Sequence, residues 1–280
     1  MAISRYAVLG YPLGHTMSPF IHEKLFAVHG VSAAYEKKEL PPQELPQALP
    51  ALRKLDGFNL TIPHKSAILP FLDRLDDRAA LYGAVNTVKC NDSLIGYNTD
   101  YIGFLRALED GGVALSGSVL LCGAGGAAHM MAFEAASAGC SLTIAARPSG
   151  LPRARGLAEE IRQKIPGAAV GVCTYDAIEG DFDLLLNATP AGMYPHPKAM
   201  PVNERTVCRC RAVFDAIYNP RETMLLRTAR LNGSKCAYGM PMLVWQAAAA
   251  QEIWNGLPFT AGQVAPVIEE ANWEMERVFR

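Results

Sequence analysis

Apolar positions along the chain fall into short runs separated by stretches with helical spacing, the pattern of βαβ units and parallel sheets. Residues 6–9 read as a first strand, 19–28 as a helix, 35–39 as a second strand, 42–52 as a helix and 57–62 as a third strand. Residues 81–89 lead into a further strand region, closed by the turn signal Asn91-Asp92. Past Asp100 a helix is expected over 102–109, ended by Gly111 and Gly112, and then a compact apolar strand, 119–122, that runs straight into glycines. A helix over 127–138, a strand over 141–145, a helix over 153–164 and apolar strands over 183–187 and 212–215 follow, together an open nucleotide-binding sheet. Two more helices are expected, 240–254 and 260–279.

This pattern predicts an α/β protein of two lobes with a ligand cleft between them: an N-terminal α/β substrate lobe, 1–103, and a Rossmann-like dinucleotide-binding lobe, 104–238. Pattern alone fits the last two helices to either lobe; the expectation adopted is that residues 239–280 return to the first. A chain of 280 residues is long enough for two ordinary domains. A formal net charge of -1 gives no basic field to draw the protein to nucleic acid or anionic membrane. No apolar run approaches the roughly 18 residues of a membrane span, and the N-terminal residues read as a strand rather than a signal peptide. Seven scattered cysteines argue for a reducing compartment, the cytoplasm. Cys208 and Cys210 lack a second pair or a nearby histidine, so no metal site is expected. Oligomeric state is left at monomer or homodimer.

The glycines after the strand at 119–122 form G-x-G-x-x-A over 123–128. Gly123 permits a tight turn, Gly125 lets the backbone approach a pyrophosphate, and Ala128 allows close helix–strand packing, with the helix N-terminus turned to the phosphates. The alternative is a packing turn in an ordinary α/β sheet. NAD sites place an acid about 20 residues after the glycines; here Arg147 stands there, with no acid before Glu159. Arginine suits a 2′-phosphate and favours NADP, unless it is a solvated surface charge.

Several polar clusters lie in the first hundred residues. Thr16 and Ser18 offer hydroxyls at a helix N-terminus, a place for a carboxylate, although Ser18 before Pro19 is equally a plain helix cap. Asn59 and Thr61 alternate on one face of the third strand, and Lys65 follows just past its end, where a lone lysine is ordinarily a surface group. The histidines are poor catalytic candidates: His64 is expected to point away from Lys65 and His22 and His29 to be packing or surface groups, and an orienting role for His15 on the loop around Thr16 is the lesser alternative. Asn86, Thr87, Asn98, Thr99 and Asp100 add amides, hydroxyls and an acid.

Taken in order, G-x-P-x-x-H-T-x-S-P, N-x-T-x-P-x-K, GAVNT, NTD, GAGGA, NATPxGM, D-x-x-YNP-x-x-T and G-x-x-ML-x-x-Q resemble the shikimate dehydrogenase family from Val8 to Gln246. The resemblance implies reversible reduction of 3-dehydroshikimate to shikimate with NADP as cofactor. A quinate/shikimate dehydrogenase using NAD, or a catalytically silent nucleotide-binding relative, would carry a similar frame. It implies Thr16 and Ser18 on the substrate carboxylate with Tyr218 at that side, and Asn59, Thr61, Asn86 and Gln246 on ring hydroxyls. Lys65 and Asp100 resemble the catalytic pair; sequence leaves open which holds the proton. On the cofactor it implies Gly123, Ala124, Gly125, Gly126, Ala127, Arg147, Thr189, Ala216, Gly239, Met242 and Asp77. The chain departs from the family pattern at Tyr101, where glycine is usual, at Ala146 and Pro148 flanking Arg147, at His129-Met130 in place of an arginine, and at Pro241.

Overall fold

The computed structural model describes residues 3–14 and 16–278. They pack into two compact units, one holding the chain up to Gly103 together with Val244–Met275, the other holding Phe104–Leu243.

The first unit contains β1 (Ser4–Gly10), α1 (Ser18–Val28), β2 (Ala33–Glu39), α2 (Leu45–Leu52), β3 (Gly57–Leu60), α3 (His64–Ala67), β4 (Arg74–Leu75), α4 (Asp77–Tyr82), β5 (Thr87–Cys90) and β6 (Leu94–Tyr97), and ends in the first turn of α5 (Asp100–Asp110). Its sheet has the order β2-β1-β3-β5-β6-β4. β1 pairs in parallel with β2 and β3, and β5 runs antiparallel to both β3 and β6. Because both faces are covered, β3 is buried along its whole length. Phe58 and Leu60 join Leu9, Leu45, Leu52 and Val88 in one apolar core. The other face carries Tyr6, stacked on Trp254 with ring centroids 4.5 Å apart and on Phe26 at 5.1 Å.

The second unit continues through β7 (Ser118–Cys122), α6 (Gly126–Ser137), β8 (Ser141–Ala146), α7 (Leu151–Lys164), β9 (Val170–Thr174), β10 (Phe182–Asn187), α8 (Glu204–Val207), β11 (Cys210–Asp215), α9 (Met224–Leu231) and β12 (Lys235–Tyr238) to the start of α10 (Gly239–Asn255). The last helix is α11 (Ala261–Val278). Every pairing in this sheet is parallel, in the order β9-β8-β7-β10-β11-β12, that of a doubly wound nucleotide-binding fold. Val119, Leu120, Leu121, Leu184, Leu185 and Leu186 are fully buried, which is why β7 and β10 read as continuous apolar runs.

Differences from the sequence reading lie in short elements. The strand expected over 57–62 stops at Leu60, and residues 64–67 turn into α3. The strand region expected from 81 begins only at Thr87, since Leu81 lies in α4, whose start is capped by Asp76 accepting from the Ala79 N–H at 2.8 Å. Residues 42–44 form a 3₁₀ turn before α2. Among the described residues no helix is long and apolar enough to cross a membrane.

His22 is buried without any exposure, on the inner face of α1. Its ring stacks on Tyr35 at 4.1 Å with an interplanar angle of 12°. The Gln251 amide donates to the His22 carbonyl at 2.9 Å and lies 3.2 Å from Nδ1, so Nδ1 is assigned as acceptor, while Nε2 has no partner. Burial pushes this imidazole down from 6.5 to about 3. A folded value below the unfolded one means that acid protonates the unfolded chain first, so stability is lost as pH falls below about 6.5. Linkage with that shift gives a loss of about 2 kcal/mol between pH 7.5 and 5. Denaturant melts of the unaltered protein and of His22→Phe at both pH values measure it: the variant should lose about that much less, and identical acid sensitivity would refute the assignment.

Candidate active site

In the first unit the polar side chains gather where β1 and β3 end, β5 begins and β6 gives way to α5. Lys65 sits on α3, not beyond a continuing strand, and its Nζ donates to Asp100 Oδ2 at 2.5 Å. The two side chains are 31% and 23% exposed, open enough to meet a ligand and shielded enough to hold each other. Asp100 is the first residue of α5, where the helix N-terminus favours a negative charge. Its backbone N–H donates to Asn98 Oδ1 at 3.1 Å, and Asn98 Nδ2 donates to the Ala84 carbonyl at 3.0 Å. The Lys65 carbonyl accepts from the Val85 N–H at 2.8 Å, which ties α3 to the segment before β5.

Asn86 joins these parts. Its Nδ2 donates to Asp100 Oδ1 at 2.8 Å and lies 3.0 Å from Thr99 Oγ1 and 3.4 Å from Gln246 Oε1 on α10. Its Oδ1 accepts from the Thr99 N–H at 2.7 Å and from Thr87 Oγ1 at 3.1 Å. The structure therefore brings Lys65, Asp100, Asn86 and Gln246 into one bonded group.

Asn59 is placed differently from its neighbours. Its Nδ2 donates to the Asn86 carbonyl at 3.1 Å and to Thr87 Oγ1 at 3.0 Å, and its Oδ1 accepts from the Tyr35 hydroxyl at 2.7 Å. The amide is thus engaged inside the unit and locks β3 to β5, in which Asn59 and Thr87 are register partners. Thr61, two residues on, is partly exposed, with its backbone N–H donating to the Leu9 carbonyl. Thr16 Oγ1 accepts from the Ser18 N–H at 3.2 Å and lies 3.2 Å from Ser18 Oγ. The N-cap of α1 is Met17, with no side-chain cap bond, so the Ser18 hydroxyl is not engaged in capping. His64 shares the helical turn of Lys65 rather than the opposite face of a strand; it is buried, with Nε2 2.7 Å from the Leu40 carbonyl. His15 lies outside the described residues.

Tyr101 keeps its bulk clear of these bonds. Its ring meets Tyr82 edge-on at 6.4 Å and lies under the Arg78 guanidinium at 5.3 Å, both on α4. Asp77 opens the same helix.

The second unit holds a cavity of about 880 Å³ lined by Gly123, Ala124, Gly125, Arg147, Arg153 and Thr189, with Tyr175 and His196 among the others. Gly123 has φ +103°, and a Cβ there would lie 3.0 Å from Thr189 Cγ2. Gly125 is the N-cap of α6 and supplies no side-chain bond, so the first N–H groups of the helix, from Gly126 and Ala127 on, are free to meet an anion. Arg147 leaves β8 in extended conformation, and Pro148 opens a one-turn 3₁₀ segment where its missing N–H costs nothing. His129 pairs with Glu160 at 2.9 Å, joining α6 to α7, and Pro241 falls in the first turn of α10. Ala216 and Gly239 meet at the ends of β11 and β12, and Met242 follows on α10. Tyr218 also belongs to this unit, and burial raises its phenol. Among the described residues no group of histidine, cysteine or acidic side chains could hold a metal.

Two residues escaped the sequence reading, and two others were noted as hydroxyls without their role. Tyr35 carries no motif and is found only through its bond to Asn59. Thr87 and Thr99 stand inside GAVNT and NTD, yet nothing marked them as supports for Asn86. Arg153, a second cation on the cavity, looked like an ordinary helix residue.

The family model of the shikimate dehydrogenase substrate binding domain matches residues 8–88. A shikimate dehydrogenase (NADP(+)) of Methanothermobacter thermautotrophicus is 40% identical over 257 residues, 89% of this chain and 90% of that protein. One of Moorella thermoacetica is 38% identical over 277 residues, 95% and 92% of the two chains. The crystal structure of shikimate 5-dehydrogenase from Thermus thermophilus, in complex with NADP(H) and shikimate, superposes with a TM-score of 0.84 at 35% identity, covering 96% of this chain and 100% of that one. With identity at this level across nearly the whole length of its relatives, the chain belongs to the shikimate dehydrogenase family.

Proposed function

We propose that this protein is an NADP-dependent shikimate dehydrogenase, which interconverts 3-dehydroshikimate and shikimate in the route to chorismate and the aromatic amino acids. The observation that carries the reading is the Lys65–Asp100 pair, held by Asn86 and still partly open to a ligand. The first unit, with α10 and α11, is assigned as the substrate lobe and the second as the cofactor lobe. Seven free cysteines suit a reducing cytoplasm, and the protein acts as a monomer or homodimer.

The second unit's cavity fits a dinucleotide phosphate. Its turn needs glycine at Gly123, its helix N-terminus is uncapped, and Arg147, just past β8, and Arg153, on α7, both line it. Gly123 to Ala127 would hold the pyrophosphate, and Arg147 with Arg153 a 2′-phosphate. Thr189, Ala216, Gly239 and Met242 would complete the contacts. When bound, NADP supplies the hydride acceptor, so the protein's own part is position and proton handling.

The substrate's carboxylate would meet the hydroxyls of Thr16 and Ser18 at the start of α1. Thr61, Asn86 and Gln246 would bind ring hydroxyls, and Asn59 acts behind them by holding β3 to β5. Lys65 Nζ has donors to spare beyond its bond to Asp100, and offers one to the reacting oxygen. In alcohol oxidation the pair takes up the hydroxyl proton; in ketone reduction it returns one. The two groups are joined by a direct hydrogen bond, so the pair, not either residue alone, is assigned as the acid-base catalyst.

Groups that act on the reacting proton matter more in the transition state than in binding. Lys65→Ala should lower kcat by roughly 10²–10⁴-fold with a smaller change in KM. Asp100→Asn should be similarly impaired, and the double variant little worse than the poorer single one. Saturation kinetics with shikimate and NADP+ test this; a Lys65→Ala kcat within a few-fold of the unaltered enzyme would end the catalytic assignment.

Cofactor choice gives a second test. A hydrogen bond to a charged group is worth about 1.5–3 kcal/mol, roughly 10–150-fold. Arg147→Ala should raise KM for NADP+ by at least about 10-fold, and Arg147→Ala with Arg153→Ala by more, while KM for NAD+ shifts little. Equal losses with both cofactors would show that the arginines do not read the 2′-phosphate.

A further inference from the structure

Asp215, at the end of β11, has no exposed surface, and three donors converge on its carboxylate. Asn187 Nδ2 donates to Oδ1 at 2.9 Å, the Ile217 N–H donates to Oδ1 at 3.1 Å, and Thr223 Oγ1 donates to Oδ2 at 2.7 Å. All three donors are neutral. Burial therefore raises the carboxyl from 3.8 to about 6 even though each bond acts to lower it. A carboxylate accepts all three; an amide could keep the two bonds at Oδ1 but could meet the Thr223 hydroxyl only by reversing that bond. Holding such a charge in the interior opposes folding, so its presence calls for something that the fold alone does not need.

The three donors lead to two loops and to the start of α10, and the first of these loops lines the cavity. Asn187 Oδ1 accepts from the Thr189 N–H at 3.0 Å and from Thr189 Oγ1 at 2.7 Å, and Thr189 lines the cavity against Gly123. The Ile217 carbonyl accepts from the Gly239 N–H at 3.1 Å. A Cβ on Gly239 would lie 2.2 Å from the Ala216 carbonyl oxygen, so this contact leaves room for glycine alone. Thr223 caps α9, accepting from the Leu226 N–H at 3.3 Å, and fixes the far end of the segment that begins at Ala216. One carboxylate thus sets the loop after β10, the loop after β11 and the start of α10.

We infer that Asp215, acting through Asn187 and Thr223, is the positioning residue for cofactor binding, holding the loops of Thr189, Ala216 and Gly239 in the geometry that NADP requires. The inference rests on the NADP-dependent reading above. Asp215 touches neither substrate nor cofactor; it acts through the backbone of residues that do.

The test is steady-state kinetics and direct titration of NADP+ with Thr223→Val, Thr223→Ser and Asp215→Asn. Thr223→Val keeps the shape and removes the donor. It should raise KM and Kd for NADP+ about 10-fold or more, the scale of a lost hydrogen bond to a charge, and by clearly more than it changes KM for shikimate, with kcat within about threefold. Thr223→Ser restores the hydroxyl and should bring NADP+ back to within about threefold of the unaltered protein. Asp215→Asn should weaken NADP+ at least as much as Thr223→Val; if that variant does not fold, the Val and Ser pair decides alone. A lower melting temperature with unchanged NADP+ affinity, or failure of serine to rescue, would overturn the inference. An unaltered protein that binds NADP+ but leaves shikimate untouched would count against the proposed function instead, and the titrations would still decide the role of Asp215.

Discussion

Asn86 has one amide and must serve two ends of the chain with it. Its oxygen accepts from the Thr99 N–H and from Thr87, and its nitrogen reaches Asp100 Oδ1. The first pair of bonds fixes where α5 begins relative to β5, and the third fixes how the Asp100 carboxylate is turned. Lys65 is then tethered from the other side through the bond between its carbonyl and the Val85 N–H. The site's acid-base pair is therefore as rigid as the backbone of residues 84–87. Buried and 3% exposed, Asn86 cannot trade these partners for water.

The second unit solves a similar problem with a charge instead of an amide. Where its parallel strands end, the ladder gives way to single backbone bonds between loops, such as the Ala216 N–H to the Asn187 carbonyl and the Gly239 N–H to the Ile217 carbonyl. A small polar group at the strand ends is the simplest way to bind several loops at once, and it must accept more bonds than an amide can. Asp215 supplies that capacity, and the consequence is a buried carboxyl raised to about 6. In both units the polar group sits at strand ends, where the apolar runs give out and backbone groups need partners from elsewhere.

What the sequence disclosed follows the same division. Long apolar runs such as β7 and β10 were legible because burial on both faces leaves no polar position to interrupt them. The glycine turn was legible because few residues other than glycine take φ +103° beside Thr189. Short elements were not: α4 has six residues and β4 two, too few for either period to show. The edge strand β9 buries only Val170 and follows it with an exposed glycine and three partly exposed residues, so it carried no clear apolar signal. The motif reading named Asn59 as a ring contact, whereas its amide is taken up by Tyr35, Asn86 and Thr87. A motif records that a residue type is needed and is silent on which partner needs it.

The departures from the family pattern show how far such sites tolerate change. Tyr101 replaces a usual glycine directly after Asp100, a position where bulk could have displaced the carboxylate. At the N-terminus of a helix, successive side chains diverge by about 100°, so the ring of Tyr101 leaves on a different bearing from Asp100. It finds α4, where Tyr82 and the Arg78 guanidinium give it a packing surface. The bonds from Lys65 and Asn86 to Asp100 are left intact. Pro148 behaves alike: it follows Arg147 at the one point where the chain starts a new turn and needs no N–H, so the arginine still lines the cavity. Both substitutions alter the side of the backbone that the chemistry does not use, and geometry rather than residue identity decides that they can stand.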